Sequence, residues 1–496
     1  MKRLLILLSL CGGLALSSCE DELDQTPISN GNVPDFYQTA ADFEQAMTAV
    51  YSQLRGYPDR ALIMSELRSD NMYGVTAVGS RDWDPINNFA NTLSINPYVA
   101  DTWAANYSLI FRANTMLDQL TSNGTVTGSL STRYEAESRF LRAFAYFDLV
   151  RMFGRVPLID KPLLPQQVST IPRTEVPQVY DLIISDLEYA IANLPATYTG
   201  TNIGRATSGA AKGMLALVYL TRSGPSYGIN GPGLASNEYA KALLLLNEII
   251  SSQTYSLQAS YNNIFSYANE NNSEVLFDIQ YIANGSLGAS YPGQVVPDAY
   301  FTLKEIPFVS GAVEIKPCSN DLVASYATDD TRKTFTIEQG FTFRGITENR
   351  PFYKKYLNPT GRGVSRTDWP INFIVLRYTD ILMMKAECLV RGVGGTEAEA
   401  AELLTPIRTR AGLPALTTIT LPQLMEERRR EFAGEALRWH DLVRSGLVLD
   451  VMNAWAPKDD PAGKITRNIG ANMIIYPVPQ NELSAAPGLY EQNPGY

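Results

Sequence analysis

The sequence predicts a mostly α-helical protein whose helices pack in tetratricopeptide-like pairs, joined to an irregular, loop-rich region with short strands. Apolar residues recur at helical spacing through most of the chain, most regularly in residues 180–194. Residues 273–370 break this pattern with glycine, proline and aromatic residues. Residues 137–157 are apolar on nearly every side of a helix but too few to span a membrane, so other helices must bury them.

Residues 137–157, ESRFLRAFAYFDLVRMFGRVP, are expected to form the central helix of the stack. Phe140, Phe144 and Phe147 share one face, and other apolar residues cover the remaining faces. Gly154 is expected to end the helix. The arginines of this stretch need carboxylate or carbonyl partners wherever they are buried, because an unpaired buried charge is costly.

The other elements follow from periodicity and from the residues that punctuate it. Loops are expected at 65–90, which is dense in Asp, Asn, Gly and aromatic residues, and at 121–132. Short β-like runs are expected at 275–281 and 335–343. Further helices are expected at residues 42–54, 102–120, 180–194, 208–220, 239–250, 373–390, 397–411 and 421–443.

No boundary after residue 30 has the composition of a flexible linker. We therefore expect a single domain over residues 31–496. Its N-terminal part, about 31–270, is expected to hold most of the paired helices. Its C-terminal part, about 271–496, is expected to hold the loop-rich region and the final helices.

The first residues have the pattern of an exported lipoprotein. A basic start and an apolar run make residues 1–18 a secretory signal peptide. The sequence Leu-Ser-Ser-Cys that ends at Cys19 resembles the bacterial lipobox, so Cys19 is the expected lipidation site and membrane anchor. An ordinary leader with an accidental cysteine is the alternative. Residues 19–30 are expected to form a lipidated acidic tether, similar to the surface-export signal of Bacteroidetes lipoproteins.

Composition excludes some classes of function. The 496-residue chain carries a formal charge of −10, which argues against binding to nucleic acid. Of the four cysteines, Cys11 and Cys19 belong to the leader and the lipidation site, which leaves Cys318 and Cys388. Two distant cysteines imply no disulfide framework, and whether they pair stays open. The single histidine excludes the histidine-rich zinc sites of hydrolases. We expect no metal in the binding site and no cofactor, and whether a structural metal ion is bound stays open.

Several segments, in order and spanning nearly the whole chain after Cys19, resemble the SusD/RagB family of surface nutrient-binding lipoproteins. Their order is more specific than any one of them. They are RFLRAFAYFDLVRMFGRVPL (139–158), YDLIISDLEYAIANLP (180–195), RATSGAAKGMLALVYL (205–220), SEVLFDIQY (273–281), RYTDILMMKAECLVR (377–391), RRREFAGEALRWHDLVR (428–444), YPVPQNEL (476–483) and NPGY (493–496).

This resemblance implies a SusD-like helical fold with four tetratricopeptide-like pairs. It also implies a lipoprotein at the outer membrane, facing the cell exterior, which binds a polysaccharide or oligosaccharide without catalysis. The implied partner is a SusC-like, TonB-dependent outer-membrane transporter, which the protein covers as a lid. A peptide ligand, as in some members of the family, is the alternative within the family.

The resemblance and the composition together indicate ligand-binding candidates in the 65–90 loop. Glycan capture needs aromatic faces for sugar C–H groups, and amides or carboxylates for hydroxyls. Related glycan binders use an aromatic residue and an asparagine from this region, so Trp83 and Asn88 are the first candidates. Local packing of Trp83 and capping of turns by the amides are the alternative. The other candidates are Tyr73, Asp82 and Asn87 in this loop, and Tyr291 and Tyr300 as a second wall.

An enzymatic reading rests on weaker patterns. Residues 224–228 match G-x-S-x-G and His440 follows, but the motif lies after a predicted helix and contains Pro225, so the strand–turn–helix context is not predicted. Paired carboxylates would permit a lipid-anchored glycosidase, although no pair stands out. The charged run 426–431 is expected to be a solvated helix face. Stacked helix pairs would also permit a scaffold that binds only proteins.

Overall fold

The computed structural model describes residues 36–496, apart from residues 75, 77–79, 286, 306–315, 359–360, 362, 364 and 366. The predicted signal peptide (1–18), the lipidation site Cys19 and the predicted tether (19–30) lie outside the described residues.

The first half of the described chain is dominated by long helices. Short 3₁₀ segments at Ser52–Gly56, Leu93–Ile95 and Gly200–Asn202, and a π-helical turn at Leu62–Glu66, connect some of them. The helices are α1 (Ala40–Tyr51), α2 (Tyr57–Ala61), α3 (Asp84–Asn87), α4 (Pro97–Ser122), α5 (Gly128–Phe153), α6 (Pro165–Val168), α7 (Val176–Asn193), α8 (Ser208–Ser223) and α9 (Tyr239–Ser251).

The second half mixes short helices and strands before helices return. Its helices are α10 (Tyr261–Ile264), α11 (Tyr291–Gln294), α12 (Asp298–Leu303), α13 (Asn320–Ser325), α14 (Thr331–Thr336), α15 (Tyr378–Val390), α16 (Glu397–Arg410), α17 (Leu421–Glu431), α18 (Arg438–Ser445), α19 (Val448–Asp459) and α20 (Gln480–Ala485). The strands of the whole chain are β1 (Val156–Pro157), β2 (Arg173–Thr174), β3 (Val275–Ile279), β4 (Ile337–Glu338), β5 (Phe341–Phe343), β6 (Ile346–Glu348), β7 (Phe352–Tyr353) and β8 (Phe373–Arg377).

The long helices pack successively on one another. Helix α4 packs on α5, α5 on α7, α7 on α8, and α8 on α9, and the series continues through α15 to α16. Within the described residues the strands pair only two at a time: β1 with β2, β3 with β8, β4 with β7, and β5 with β6. The predicted mostly helical class with a loop-rich region is confirmed, and the packing order is consistent with tetratricopeptide-like pairs.

Helix α5 is the buried centre that its composition predicts. From Phe140 to Phe153 every side chain is buried, polar ones included. Arg142 forms a bidentate ion pair with Asp186 of α7, with Nε–Oδ2 and Nη2–Oδ1 distances of 2.8 Å. Gly154, at φ +71°, ends the helix as predicted. The helix begins earlier than expected, at Gly128, so it includes the last part of the loop predicted at 121–132.

The helix predicted at 373–390 is wrong in its first five residues. Phe373–Arg377 form strand β8, which pairs antiparallel with β3, and α15 starts only at Tyr378. The β-branched, apolar sequence FIVLR suits a strand that is buried on both faces. Likewise, the run predicted at 335–343 divides between the end of α14 and strands β4 and β5.

The single helix predicted at 421–443 is two helices. The chain turns between α17 and α18, where Gly434 has φ +82° and Ala436 has φ +62°. The Gly434 N–H donates to Oε1 of the buried Glu66, at 2.9 Å. This turn lets α18 contact the π-helical turn at Leu62–Glu66 near the start of the chain. Helix α19, which follows it, was not predicted.

The charged run 426–431 is largely buried, so the predicted solvated face is wrong. The buried members are Glu427, Arg428, Arg429 and Glu431. They form part of an ionic core that joins α17 to distant segments, and each charge has an opposite charge close by. Alternating signs along a helix predict ion pairs but do not show whether those pairs face water.

Glu431 is the hub of this ionic core. It accepts hydrogen bonds from Arg332 Nη1 at 2.9 Å, Arg377 Nη1 at 2.9 Å and Arg410 Nη2 at 2.7 Å. Burial by itself would raise the pKa of this carboxyl, but the three guanidinium groups outweigh it and hold the pKa well below its usual range. Glu431 is therefore ionised at all physiological pH values.

Asp70 joins the N-terminal half to the same region. Arg438 binds it in bidentate fashion, with Nε–Oδ1 and Nη2–Oδ2 distances of 2.8 Å. Burial opposes ionisation of Asp70, but Arg429 and Arg438 outweigh it and lower its pKa to about 2. Segments that lie 368 residues apart in the chain thus meet through a buried ion pair.

Two further observations complete the fold. Cys318 and Cys388 are both buried and are not joined to each other. Among the residues that the structure describes, no helix has both the length and the apolar composition needed to cross a membrane.

Candidate functional site

The 65–90 segment is held in place largely by its own polar side chains. The carboxylate of Asp84 accepts hydrogen bonds from the backbone N–H and the hydroxyl of Thr76 and from the backbone N–H of Arg81, at 3.2, 2.6 and 3.0 Å. The Asn87 side-chain amide donates to the carbonyls of Leu67 and Met72, at 2.7 and 3.3 Å. The described parts of this segment are therefore packed against one another.

Trp83 lies at the edge of this segment and is partly exposed. Its indole N–H donates to the carbonyl of Gly74, at 3.1 Å. The Lys316 ammonium lies 4.1 Å from the centre of the indole ring, in cation–π contact, and donates to the Gln294 carbonyl at 2.9 Å. Trp83 therefore helps to pack the segment while part of its ring remains accessible, so these contacts are compatible with both roles considered for it.

Exposed polar groups surround Trp83. Arg81 and Asp82 are exposed, and the backbone carbonyl of Asp82 accepts a hydrogen bond from Asn96 Nδ2, at 2.6 Å. Asn96 also caps helix α4 by accepting from the Tyr98 N–H, at 3.0 Å. Asp82 is thus fixed to the start of α4 through its backbone carbonyl, and its side chain is exposed to solvent.

Tyr98 is an aromatic residue near this edge that the sequence reasoning missed. It is partly exposed, and burial raises its pKa, with further increases from the charges of Asp82, Asp59 and Asp101. The charge of Asp82 acts on the hydroxyl of Tyr98, so Tyr98 lies near Asp82 and the adjacent Trp83. The available signal was the sequence Asn-Pro-Tyr, in which a helix cap follows directly on the polar loop.

The two adjacent asparagines differ in their surroundings. Asn87 is fully buried, and its amide binds backbone carbonyls of its own segment. Asn88 is partly exposed, and its backbone carbonyl accepts from the Thr466 N–H at 3.1 Å and from the Thr466 hydroxyl at 2.8 Å. Its side-chain oxygen is buried and has no hydrogen-bond partner among the described residues. Only Asn88 of this pair remains near the surface.

Tyr73 points its hydroxyl to the interior. The hydroxyl donates to Asp460 Oδ1 at 2.8 Å, and burial together with this carboxylate raises its pKa well above the usual value. The ring is only partly buried, and it packs against the apolar cluster that contains Trp439 and Trp455. In this conformation Tyr73 connects the segment to α19 and its following loop.

Tyr291 and Tyr300 lie in the core rather than along an exposed wall. Tyr291 is fully buried, and its hydroxyl donates to the carbonyl of Asn372 at 2.9 Å. Tyr300 is 5% exposed, and its hydroxyl donates to Glu338 Oε2 at 2.8 Å. In this conformation neither ring offers a face to a ligand. Sequence gives no means of separating these tyrosines from exposed ones, because both lie in an aperiodic, aromatic region.

Two features of the sequence analysis, metal-ligand clusters and the hydrolase-like motif at 224–228, can be compared with the structure of the described residues. They contain no group of three or more His, Cys, Asp or Glu side chains placed to hold a metal ion. The G-x-S-x-G sequence 224–228 follows helix α8 and precedes a loop, which differs from the strand–turn–helix of hydrolases. His440 has Arg151 and Arg444 as its electrostatic neighbours, and its pKa lies well below the usual value because of burial and these two charges.

The described residues thus form a helical body that carries a segment with aromatic and polar side chains at its surface. Comparisons with known sequences identify its class. A family model described as "SusD family" matches residues 344–496, and one described as "Starch-binding associating with outer membrane" matches residues 23–220. The chain belongs to the SusD family.

Similar proteins cover nearly the whole chain. SusD-like protein P25 of Formosa agariphila is 27% identical, and the match covers 97% of each chain. Two solved structures share the fold. A laminarin-binding SusD-like protein has a TM-score of 0.76 at 26% identity and covers 93% of this chain and 100% of its own. Surface glycan-binding protein A from Bacteroides thetaiotaomicron, in complex with laminarihexaose, has a TM-score of 0.78 at 25% identity and covers 92% and 100%.

Proposed function

We propose that this protein binds a polysaccharide or oligosaccharide at the surface around Trp83 and delivers it, as a lid, to a TonB-dependent transporter of the outer membrane. It would be anchored in that membrane by lipid on Cys19, would face the cell exterior and would act without catalysis. The description of the matching family as outer-membrane-associated supports this location. The two similar structures named for laminarin and laminarihexaose support a glycan as ligand.

The observation that carries the proposal is the setting of Trp83. Its indole N–H and one part of its ring are fixed by Gly74 and Lys316, and the rest remains accessible. The exposed side chains of Arg81 and Asp82 lie next to it in the chain. A sugar needs an aromatic face for its C–H groups and polar groups for its hydroxyls, and this surface offers both. Asn88 is a further candidate.

The test is a comparison of two Trp83 variants in glycan binding. We expect Trp83→Ala to weaken binding to laminarin or starch at least tenfold, because stacking on an aromatic ring is lost. Trp83→Phe keeps a ring but not the indole N–H, so it should retain most of the affinity. Isothermal titration calorimetry measures both, and the melting temperature shows whether the segment remains folded.

Tyr189→Ala is a matched control. Like Trp83, Tyr189 of α7 is a partly exposed aromatic residue in contact with a cationic side chain, in this case Arg139 of α5. It should leave glycan affinity unchanged. If Trp83→Ala and Tyr189→Ala bind alike, Trp83 serves only local packing. Tight binding of peptides in place of glycans would favour the peptide-binding alternative. Release of reducing sugars by the pure protein would instead establish a glycosidase.

A further inference from the structure

An apolar groove lies beside helix α4. Its two adjoining cavities have volumes of about 600 and 200 Å³ and share five lining residues. Helix α4, the segment that contains α6, and helix α20 form its walls. The shared lining residues are Phe111, Leu163, Val168, Glu482 and Tyr490.

Large apolar side chains are unusually exposed around this groove. Phe111 on α4 is 53% exposed, and Leu164 on the opposite wall is 66% exposed. Ile95, which is 71% exposed, lies in the 3₁₀ turn that contacts α20. Contiguous exposed apolar surface of this kind marks an interaction site more often than it marks ordinary solvent-facing surface.

One charge lies within this apolar surface. Glu482 of α20 lines both cavities, accepts a hydrogen bond from the indole of Trp103, and has its pKa raised by burial. The other described residues that line the two cavities carry no formal charge at neutral pH. A carboxylate in apolar surroundings favours a partner that brings a positive charge or a hydrogen-bond donor to it.

Helix α4 connects the groove with the candidate ligand surface around Trp83. Ile95 is followed by Asn96, whose side chain donates to the carbonyl of Asp82 in the Trp83 loop. From there α4 carries the exposed Ala104 and Phe111 along the groove. A protein that closes over a bound ligand must contact its partner near the ligand, and helix α4 links this groove to the candidate ligand surface.

We propose that this groove is the docking site for a protein segment with large aliphatic or aromatic side chains and one lysine or arginine that pairs with Glu482. In the function proposed above, on which this inference rests, that segment belongs to the outer-membrane transporter. Phe111 and Leu164 are covered when it binds. Interface centres are enriched in aromatic residues and depleted of charged ones, so the single partly buried carboxylate of Glu482 calls for an opposite charge on the partner.

The experiment is co-purification of the full-length protein with a TonB-dependent outer-membrane transporter from the same genome. Both are co-expressed, extracted in detergent and recovered through a tag on this protein. We expect Phe111→Asp and Leu164→Asp each to lower the recovered transporter at least tenfold. Glu482→Lys should lower it at least threefold, because two positive charges would then face each other.

Leu244→Asp is the matched control, because Leu244 is 62% exposed on helix α9, far along the chain from the groove. It should leave the recovery unchanged. Laminarin or starch binding by each isolated variant provides a separate readout, and it should equal that of the parent, which also shows that the variants fold.

The outcomes separate the two proposals. If the parent recovers the transporter and the groove variants recover as much, the groove is not the docking site, although the delivery function stands. If the parent recovers no transporter, the delivery function itself fails, and this inference fails with it. If the parent is a dimer in solution and Phe111→Asp makes it a monomer, a second copy occupies the groove, and the inference is overturned.

Discussion

At the scale of single residues, the carboxyl groups of Glu270 and Asp278 have raised pKa values, whereas the pKa of Glu431 is lowered. Burial raises the pKa of Glu270 to about 8, the backbone N–H of Asn372 opposes the shift, and the charge of Asp278 adds to it. Burial also raises the pKa of Asp278 to about 6, against hydrogen bonds from Asn372 and Gln280. Near neutral pH, Glu270 therefore keeps its proton in the folded protein.

This shift makes a prediction about pH and stability. Between the pKa of Glu270 in the unfolded chain and its higher pKa in the folded protein, unfolding releases a proton, so the free energy of unfolding falls as pH rises. Glu270→Gln mimics the protonated form. We expect it to stabilise the protein by about 1–2 kcal/mol near pH 8, allowing for partial exposure, and by almost nothing near pH 4.

Urea unfolding of the variant and the parent across this pH range measures the difference. Glu402→Gln, at an exposed position on α16, is the control and should give no pH-dependent change. A constant offset between Glu270→Gln and the parent at every pH would contradict the prediction, because the effect would then not come from titration.

The candidate site also shows which residue positions the sequence can predict and which it cannot. Trp83, Asp82 and Asn88 remain at or near the surface, whereas Asn87, Tyr291 and Tyr300 are buried. Composition can identify a loop that is rich in aromatic and polar residues. It cannot tell which tyrosine turns inward, because that depends on contacts with segments as distant as Glu338 and Asn372. Ligand-binding roles for these residues stay predictions.

At the scale of elements, helix α5 ends at Gly154, where any other residue would destabilise the fold. A Cβ atom at Gly154 would lie 1.9 Å from the carbonyl oxygen of Asn230, which belongs to the backbone and cannot easily move. Its φ of +71° adds strain for any other residue. We expect Gly154→Ala to lower the free energy of unfolding by about 2–4 kcal/mol.

Gly228→Ala separates the two causes. Gly228 has nearly the same φ, +69°, but a Cβ atom there would meet nothing within 4 Å. It should cost only about 1 kcal/mol, the strain alone. Chemical denaturation of both variants measures the costs. Equal costs would show that the clash with Asn230 relaxes freely and that only the backbone conformation matters.

Elements were predictable from sequence where their periodicity was long and unbroken. Helices α7, α8 and α9 lie within a few residues of their predicted bounds, because each presents one apolar face. Strand β8 was mistaken for helix because a short apolar run fits either structure, and its partner β3 lies about a hundred residues earlier. The break between α17 and α18 had one local signal, Gly434, but the contact that the break makes is with Glu66, a residue far away in sequence.

At the scale of the whole molecule, the ionic core joins segments that are far apart in the chain. Glu431 binds arginines from α14, from β8 and from α16. Because these charges are buried, removing one member of an ion pair leaves the other charge uncompensated in the interior. The overall helical class was predictable from composition and periodicity, but this core was not, since burial of the charged run is a property of the assembled fold.

Removing the hub should therefore destabilise the protein as a whole. We expect Glu431→Ala to lower the free energy of unfolding by about 3–5 kcal/mol, because Arg332, Arg377 and Arg410 would lose a shared, buried counter-charge. Denaturant unfolding followed by both fluorescence and circular dichroism measures the loss.

Glu402→Ala, at the exposed position on α16, should change stability by no more than about 0.5 kcal/mol. If Glu431→Ala proves equally mild, the arginines must find other partners or water, and the ionic core would not be essential to the fold. A loss of signal from one half of the molecule before the other would contradict the expected single domain over residues 31–496, which stays a prediction.

The buried pair between Asp70 and Arg438 also bears on the order in which the protein can be made. During synthesis Asp70 leaves the ribosome hundreds of residues before Arg438, and Tyr476, whose hydroxyl donates to the Met64 carbonyl, comes later still. Until then the early segment holds an uncompensated acid in its future interior. The native packing around Asp70 therefore cannot be completed until the last part of the chain has been synthesised.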